Sequence, residues 1–268
     1  MFILWYNWLY FKEWHELNLI EDIILVNKTT FKKSIKSFQK NWVIIFTGLA
    51  YTLLNMLMLI LLNTFFRGPL YILAGFIMAI VSSSLISNYL YLLSNIISYD
   101  RITIDNFKEG FKYYLWKVYG VFFIAWIASY LLSLLTGIAG TNAELLNRIV
   151  GIVILIGLNP LPETIYQKYY SPYESIQYAF DFMKGNWLNW LVPNVIFYIA
   201  LYFLTGRVIM DIFTTHLSFG LDLSLKGLGI YLLGQILFSF TMIYRGHLFK
   251  LLSTSTRRKR MYMDKFYD

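Results

Sequence analysis

The chain has no cysteine, three histidines and five prolines, and only 14% of its 268 residues are charged. Each scarcity removes something. Without cysteine there is no disulfide framework, no thiolate metal site and no cysteine nucleophile. Sparse charge excludes intrinsic disorder, coiled coil and a dedicated nucleic-acid-binding domain, all of which rely on dense charge. Histidine stands only at 15, 216 and 247. His15-Glu16 opens like the zinc motif H-E-x-x-H, but residue 19 is leucine and the second ligand is missing. Neither G-x-S-x-G nor a phosphate-binding P-loop occurs. No metal and no cofactor is expected.

What fills the place of charge is apolar surface. Hydrophobic residues make up 58% of the chain and the mean hydropathy is +0.55, against ~45–50% apolar in ordinary soluble domains. The spacing between charges gives the organisation. Uncharged runs of 26, 32, 26, 22 and 18 residues follow Lys40, Arg67, Lys117, Lys184 and Lys226. A helix needs about 20 apolar residues to cross the hydrocarbon of a bilayer. A sixth run, from Arg148, meets Glu163 after 14 residues and stays apolar on to Tyr170.

The reading is an all-α, polytopic bundle of six membrane helices, near 42–66, 70–98, 118–138, 149–169, 188–207 and 227–248. Lipid offers no water to bare amides, so the spans must be helical, and the alternation of a barrel is absent. Residues 1–41 form cytoplasmic or interfacial N-terminal helices, 42–248 the membrane domain and 249–268 a basic tail. Residues 1–26, with Trp14, Leu17, Ile20 and Ile24 on one helical face, lie along the membrane surface or beneath the bundle.

Charge placement sets the threading. An even number of spans puts both termini on one side, and that side holds all but Arg67, Arg148, Arg207 and Lys226 of the 23 Lys and Arg. Positive residues accumulate in the cytoplasm, so both ends are expected there. Trp42, Trp116, Trp187 and Trp190 fall where spans leave that face, the depth an indole prefers.

An amphipathic lead-in recurs before spans one, three and five. Phe31, Ile35, Phe38 and Trp42 follow a 4-3-4 spacing among lysines; Phe107, Phe111 and Tyr114 do likewise between Lys108 and Lys112. Tyr173, Ile176, Phe180, Met183 and Trp187 make the third, opened by the capping box Ser171-Pro172-Tyr173-Glu174. SIKSFQKNW at 34–42 stands beside SIQYAFDFMKGNW at 175–187. Either the chain is three parallel repeats of surface helix plus hairpin, or each hairpin simply carries a basic lead-in.

The segments NPLPETIYQ (159–167), ESIQYAFDFMKGNWLNWLVPN (174–194) and YRGHLFKLLSTSTRRKR (244–260) are similar to a loose group of six-span proteins of Gram-positive bacteria. These resemble the membrane-anchor domain attached to some glycerophosphodiester phosphodiesterases. The resemblance implies the fold and a bacterial cytoplasmic membrane as location. It implies no reaction, and no catalytic residue follows from it.

Chemistry concentrates at Asn159-Pro160-Leu161-Pro162-Glu163, inside span four. Two prolines two residues apart break a helix. The expected arrangement is a restart with Asn159 as N-cap and both prolines in the first turn. Glu163, an intramembrane carboxylate, is a candidate site residue, with a kink plus structural ion pair as the alternative. Arg245 closes the last span at similar depth and Asn194 follows Pro193 in span five. Asn159, Glu163, Asn194 and Arg245 are expected to line one polar cavity, with Glu163 and Arg245 paired. Asn55, Ser82 to Ser84, Asn88, Asn95, Ser129 and Ser133 are read as helix-packing residues. Arg257, Arg258, Lys259 and Arg260 either bind anionic lipid or only fix topology.

Three function classes remain. One is a non-enzymatic transport or export component, or a partner subunit working with another membrane protein or an ATPase. The second is a lipid-active enzyme at the cytoplasmic leaflet, for which one carboxylate without histidine, metal or second acid is a poor set. The third is a structural or immunity protein. Membrane lipids are the expected partners and nucleic acid is not. Reporter fusions at the two ends should both report the cytoplasm; opposite faces would overturn the threading.

Overall fold

The computed structural model describes residues 2–66, 71–139, 142–217, 224–260 and 262. Its helices are α1 (Phe2–Lys40), a 3-10 turn (Trp42–Phe46), α2 (Thr47–Phe65), α3 (Tyr71–Tyr99), α4 (Ile104–Tyr113), α5 (Leu115–Ala139), α6 (Ala143–Gly157), α7 (Leu161–Gln167), α8 (Pro172–Thr205) and α9 (Leu225–Thr254). No strand occurs among the described residues. Six stretches are long and apolar enough to cross a membrane: Trp42–Phe65, Leu73–Tyr99, Ile104–Ile138, Ala143–Gln167, Pro172–Thr205 and Leu225–Thr254. Each overlaps one of the six expected spans, the third and fifth starting well before the expected bounds, at Ile104 and Pro172. The chain is an all-α, multi-pass membrane protein.

The helices differ in how much they hide. The apolar windows of α3 and α9 are 50% buried, that of α5 only 6%. α3 and α9 therefore form the centre, and α5 and α6 the rim. The rim is covered with exposed Trp126, Leu134, Ile138 and Ile152, side chains that belong against lipid tails. Ser129 and Ser133 share this exposed surface, and the Ser133 hydroxyl donates to Tyr130 O of its own helix. They are not in helix contacts as expected.

The three lead-ins are helical, but they join their spans in three ways. α1 stops at Lys40 and passes through the 3-10 turn into α2. α4 is a separate helix with a capping box between Thr103 and Asn106. The third is continuous with span five: α8 runs 34 residues from its Ser171–Glu174 capping box through Pro193.

The face that α1 buries corrects the expectation. Phe31, Ile35 and Trp42 remain exposed, as do Ile20 and Ile24. The buried stripe is Asp22, Val26, Thr30, Ser34, Ser37 and Asn41, at helical spacing but small and polar. Small residues let two helices approach closely, and this stripe lies against α9, where Ser37 Oγ is 2.9 Å from His247 Nε2. The apolar stripe faces outward, apart from Phe31 and Phe38, whose rings meet Phe240 edge-on. Trp14 and Leu17 lie outside the described side chains.

Asn41 then ties α1 to the α3–α4 link. Its amide donates to Asp100 O and its oxygen accepts from Ile102 N. Beside it, Lys40 Nζ meets Asp100 at 2.5 Å. Partial burial pushes the Asp100 carboxyl up, but the bonds from Lys40 and Ser37 outweigh it and hold the group below its ordinary value.

α4 docks on α3 through polar groups. Ser84 Oγ donates to Phe111 O at 2.8 Å, Ser87 Oγ to Gly110 O at 2.6 Å and Asn88 Nδ2 to Phe107 O at 2.5 Å. Asn88 Oδ1 in turn accepts from the buried Tyr51 hydroxyl. Approach this close requires Gly110, since a Cβ there would sit 3.1 Å from Asn88 Cα. Gly110→Val should therefore cost about 1–3 kcal/mol of stability through overpacking. Gly137→Ala, with open space around it, should stay within about 0.5 kcal/mol. Thermal unfolding of the two variants in detergent checks the difference.

Candidate functional site

Span four breaks where its two prolines fall. α6 ends at Gly157, a turn covers 158–160, and α7 starts at Leu161. The N-cap is Pro160, not Asn159, and no side chain caps the helix. The reason is that Pro162 fits the second helical position, which places the restart one residue later than expected. Thr164 N and Thr164 Oγ1 both donate to Pro160 O, at 3.0 and 2.9 Å. Asn159 is thereby freed, and both of its oxygens turn to Arg245.

Arg245 and Glu163 pair as expected, deep in the protein. Arg245 Nε donates to Glu163 Oε1 at 2.7 Å and Nη2 to Oε2 at 3.0 Å. Arg245 Nη2 also donates to Asn159 O at 2.7 Å, and Nη1 to Asn159 Oδ1 at 3.2 Å and the Tyr198 hydroxyl at 2.5 Å. A guanidinium has five N–H donors, and all five are used. Glu163 is 1% exposed and Arg245 2%. A fork-on-fork pair with every remaining donor satisfied is the geometry in which a buried ion pair is tolerated.

Trp190 completes the cluster, and its place is a correction. It does not sit at the membrane boundary like Trp42, Trp116 and Trp187, which are more than half exposed, but is fully buried. Its Nε1 donates to Asn159 Oδ1 at 2.8 Å, and the Arg245 guanidinium lies 5.0 Å from its ring centroid, within cation–π range. Trp190, Asn194 and Tyr198 follow each other at intervals of four along α8, and the first and last of them supply its contacts to the cluster. Of the three, only Asn194 is a site candidate from the sequence; Trp190 is read there as a boundary residue and Tyr198 is missed.

The expected cavity is closed. The space left beside Glu163 and Arg245 is about 10 Å³, about the minimum for a single water. Asn194 is buried, but its amide donates to Trp190 O of its own helix and its Oδ1 has no partner. It neighbours the cluster in sequence register without bonding it.

The closure comes partly from a segment that sequence reading took for an outer connection. Residues 207–217 are neither helix nor strand and fold back into the bundle. Ile212, Phe213, Thr214 and Thr215 line the same small space as Glu163 and Arg245. Phe213 packs its ring on Phe122, in the second turn of α5. His216 lies 5.9 Å from the Tyr51 ring, and Leu217 N donates to Gln235 Oε1 at 3.1 Å. Seven residues from Gly206 to Phe213 span about 23 Å when extended, enough to pass the middle of the bundle. The signal was present: Ile209, Ile212, Phe213 and Leu217 are apolar side chains that an outer loop has no use for.

The basic tail is only partly free. Arg260 is buried and grips Asp22 with Nε to Oδ1 at 2.8 Å and Nη2 to Oδ2 at 2.7 Å, while Asn189 Nδ2 donates to the same carboxylate. Arg260 is therefore a tether between the tail, α1 and α8, and not a lipid contact. Arg258 and Lys259 are exposed and Arg257 half-buried. Among the described residues no group of His, Asp and Glu could hold a metal.

No protein-family model, curated protein or solved structure matches the chain. Breaking the pair strands one buried charge, so Arg245→Met alone should cost about 3–5 kcal/mol. The double variant Glu163→Gln, Arg245→Met should recover most of that loss. Unfolding midpoints of the single and double variants in one detergent decide it; equal losses would mean that the two residues act separately.

Proposed function

We propose that the chain is a non-enzymatic component of a transport or export system in a bacterial cytoplasmic membrane, with both termini in the cytoplasm. In this reading the structure is the sealed state of a path through the bundle. The observation that carries it is the meeting of the broken span four with the inward-folded 206–217 segment over Glu163–Arg245. Irregular backbone at membrane depth is tolerated only where protein or a water-filled cavity surrounds it. Broken helices of this kind surround the substrate sites of transporters. The lysine and arginine asymmetry supports the orientation. The resemblance of 159–167, 174–194 and 244–260 to six-span proteins of Gram-positive bacteria supports the bacterial cytoplasmic membrane as location.

Glu163 is poorly suited to acid or base work. Both its oxygens are engaged by Arg245, and a space of about 10 Å³ admits no lipid substrate. The sequence has no nucleotide-binding loop, so energy for transport would come from a partner such as an ATPase subunit.

The absence of cysteine makes the reading directly testable. A single Thr214→Cys places a thiol at the tip of the inward segment. In membrane vesicles of either orientation it should be shielded from an impermeant maleimide. Adding Glu163→Gln should unlock the contact and raise labelling from the lysine-rich face about tenfold. Asn159→Ala is the second background, should the first fold poorly. Shielding that persists in both well-folded backgrounds would make the bundle a dry scaffold.

A further inference from the structure

A larger space lies at the lysine-rich end of the bundle. There α3, α7 and α9 finish and α4 passes into α5, and together they enclose a cavity of about 550 Å³. That is within the ~300–1,000 Å³ of small-molecule sites. Its wall carries Lys117, Lys168 and Lys250 and seven tyrosines, and no aspartate or glutamate lines it. None of the three lysines forms a salt bridge among the described residues. Glu174 acts on Lys117 only from a distance.

The ammonium groups are held in position with capacity to spare. Lys117 Nζ donates to Ile165 O at 2.9 Å and Lys168 O at 2.8 Å, closing the end of α7. Lys250 Nζ donates to Ile97 O at 3.2 Å, near the end of α3. Each ammonium has three donors, so Lys117 retains one and Lys250 two. Lys168 Nζ stands 5.4 Å from the Tyr178 ring centroid and 6.0 Å from that of Phe249. Partial burial lowers its proton affinity, a cost that an anion in the cavity would remove.

Three half-buried positive charges with no acid among them, gathered in one recess, select an anion. A carboxylate brings one charge and two oxygens. A phosphate ester brings up to two charges and three acceptor oxygens, which suits several ammonium donors better. The tyrosines supply apolar ring faces for whatever the phosphate is attached to, and Tyr169 and Tyr99, both largely exposed, mark the open side. We propose that this cavity binds a phosphate ester, with Lys117, Lys168 and Lys250 as its counter-charges. The site does not depend on the path proposed above.

The phosphate could arrive on a lipid head group or on a soluble molecule, and one titration separates the two. Full-length protein in a neutral detergent is titrated at constant ionic strength with dihexanoyl phosphatidic acid, dihexanoyl phosphatidylcholine or inorganic phosphate. Its thermal midpoint is followed in each case. Phosphatidic acid should raise the midpoint saturably, and phosphatidylcholine should not. If inorganic phosphate competes at similar concentration, the phosphate alone is read; if it fails to compete, the head group is read with its lipid. Lys168→Gln should weaken binding about tenfold with the ligand-free midpoint unchanged, because the Lys168 ammonium closes no helix end. Lys250→Gln, which retains a donor for Ile97 O, should weaken it similarly. No saturable preference for the anionic lipid, or unaltered affinity in both variants, overturns the proposal.

Discussion

A guanidinium buried in a bundle must find five acceptors, and that demand shapes the centre of this protein. In an intact helix every carbonyl is already taken by the amide four residues on. A break in span four offers Arg245 a carbonyl for which no helix amide competes. Pro160 and Pro162 break it, and Asn159 O becomes available. Glu163 then neutralises the charge, and Tyr198 and Trp190 bring α8 to the same point. The prolines that weaken span four thus allow three helices to be joined through one side chain. The break and the ion pair are a single feature, since either without the other would leave polar groups stranded in an apolar interior.

Polarity elsewhere in the bundle is arranged by the same constraint. In lipid the outside is as apolar as any core, so apolar burial does not decide which face turns inward. Polar and small residues do. Thr30, Ser34 and Ser37 line the buried face of α1, while Ser83, Ser87 and Asn88 line that of α3. On α1 it is Ile20, Ile24, Phe31 and Ile35 that are left on the outside. Individual bonds of this kind are worth about 0.6 kcal/mol on average in a membrane, so orientation comes from the row and not from any one member. The buried Asp22–Arg260 pair extends the pattern to both ends of the chain, and it makes the tail part of the fold.

This explains which features were legible in the sequence. The six spans were, because uncharged runs of sufficient length have few other uses. The Glu163–Arg245 pair was, because each residue interrupts such a run and needs a partner. The inward face of α1 was misjudged because an amphipathic pattern is read with its apolar stripe buried, whereas α1, outside the six spans, buries its row of small and polar residues against α9. Trp190 was misjudged by a rule about boundaries that says nothing of a hydrogen bond to Asn159. Arg260 looked like its neighbours Arg258 and Lys259, since its partner Asp22 lies 238 residues away and no local pattern joins them. The 206–217 segment was hidden because a connection between spans is assumed to stay outside. Its apolar residues were the evidence against that assumption.

The two ends of the bundle are consequently unlike. At one end the 206–217 segment folds inward until Phe213 reaches Phe122, leaving about 10 Å³ beside Glu163. At the other, about 550 Å³ stands open among Lys117, Lys168 and Lys250. α7 lies between them, with Glu163 facing the closed space and Gln167 bordering the open one. It is only seven residues long, and its two ends are held by long basic side chains, Arg245 at the start and Lys117 at the finish. α7 is also anchored by Leu161, Ile165 and Tyr166, all buried in the main core, so apolar packing and the two basic side chains fix it together. An anion at Lys117 would take the one donor that Ile165 O and Lys168 O leave free. The same three helices, α3, α7 and α9, line both spaces, so one polar row through the bundle closes the first and one ring of basic and tyrosine side chains frames the second.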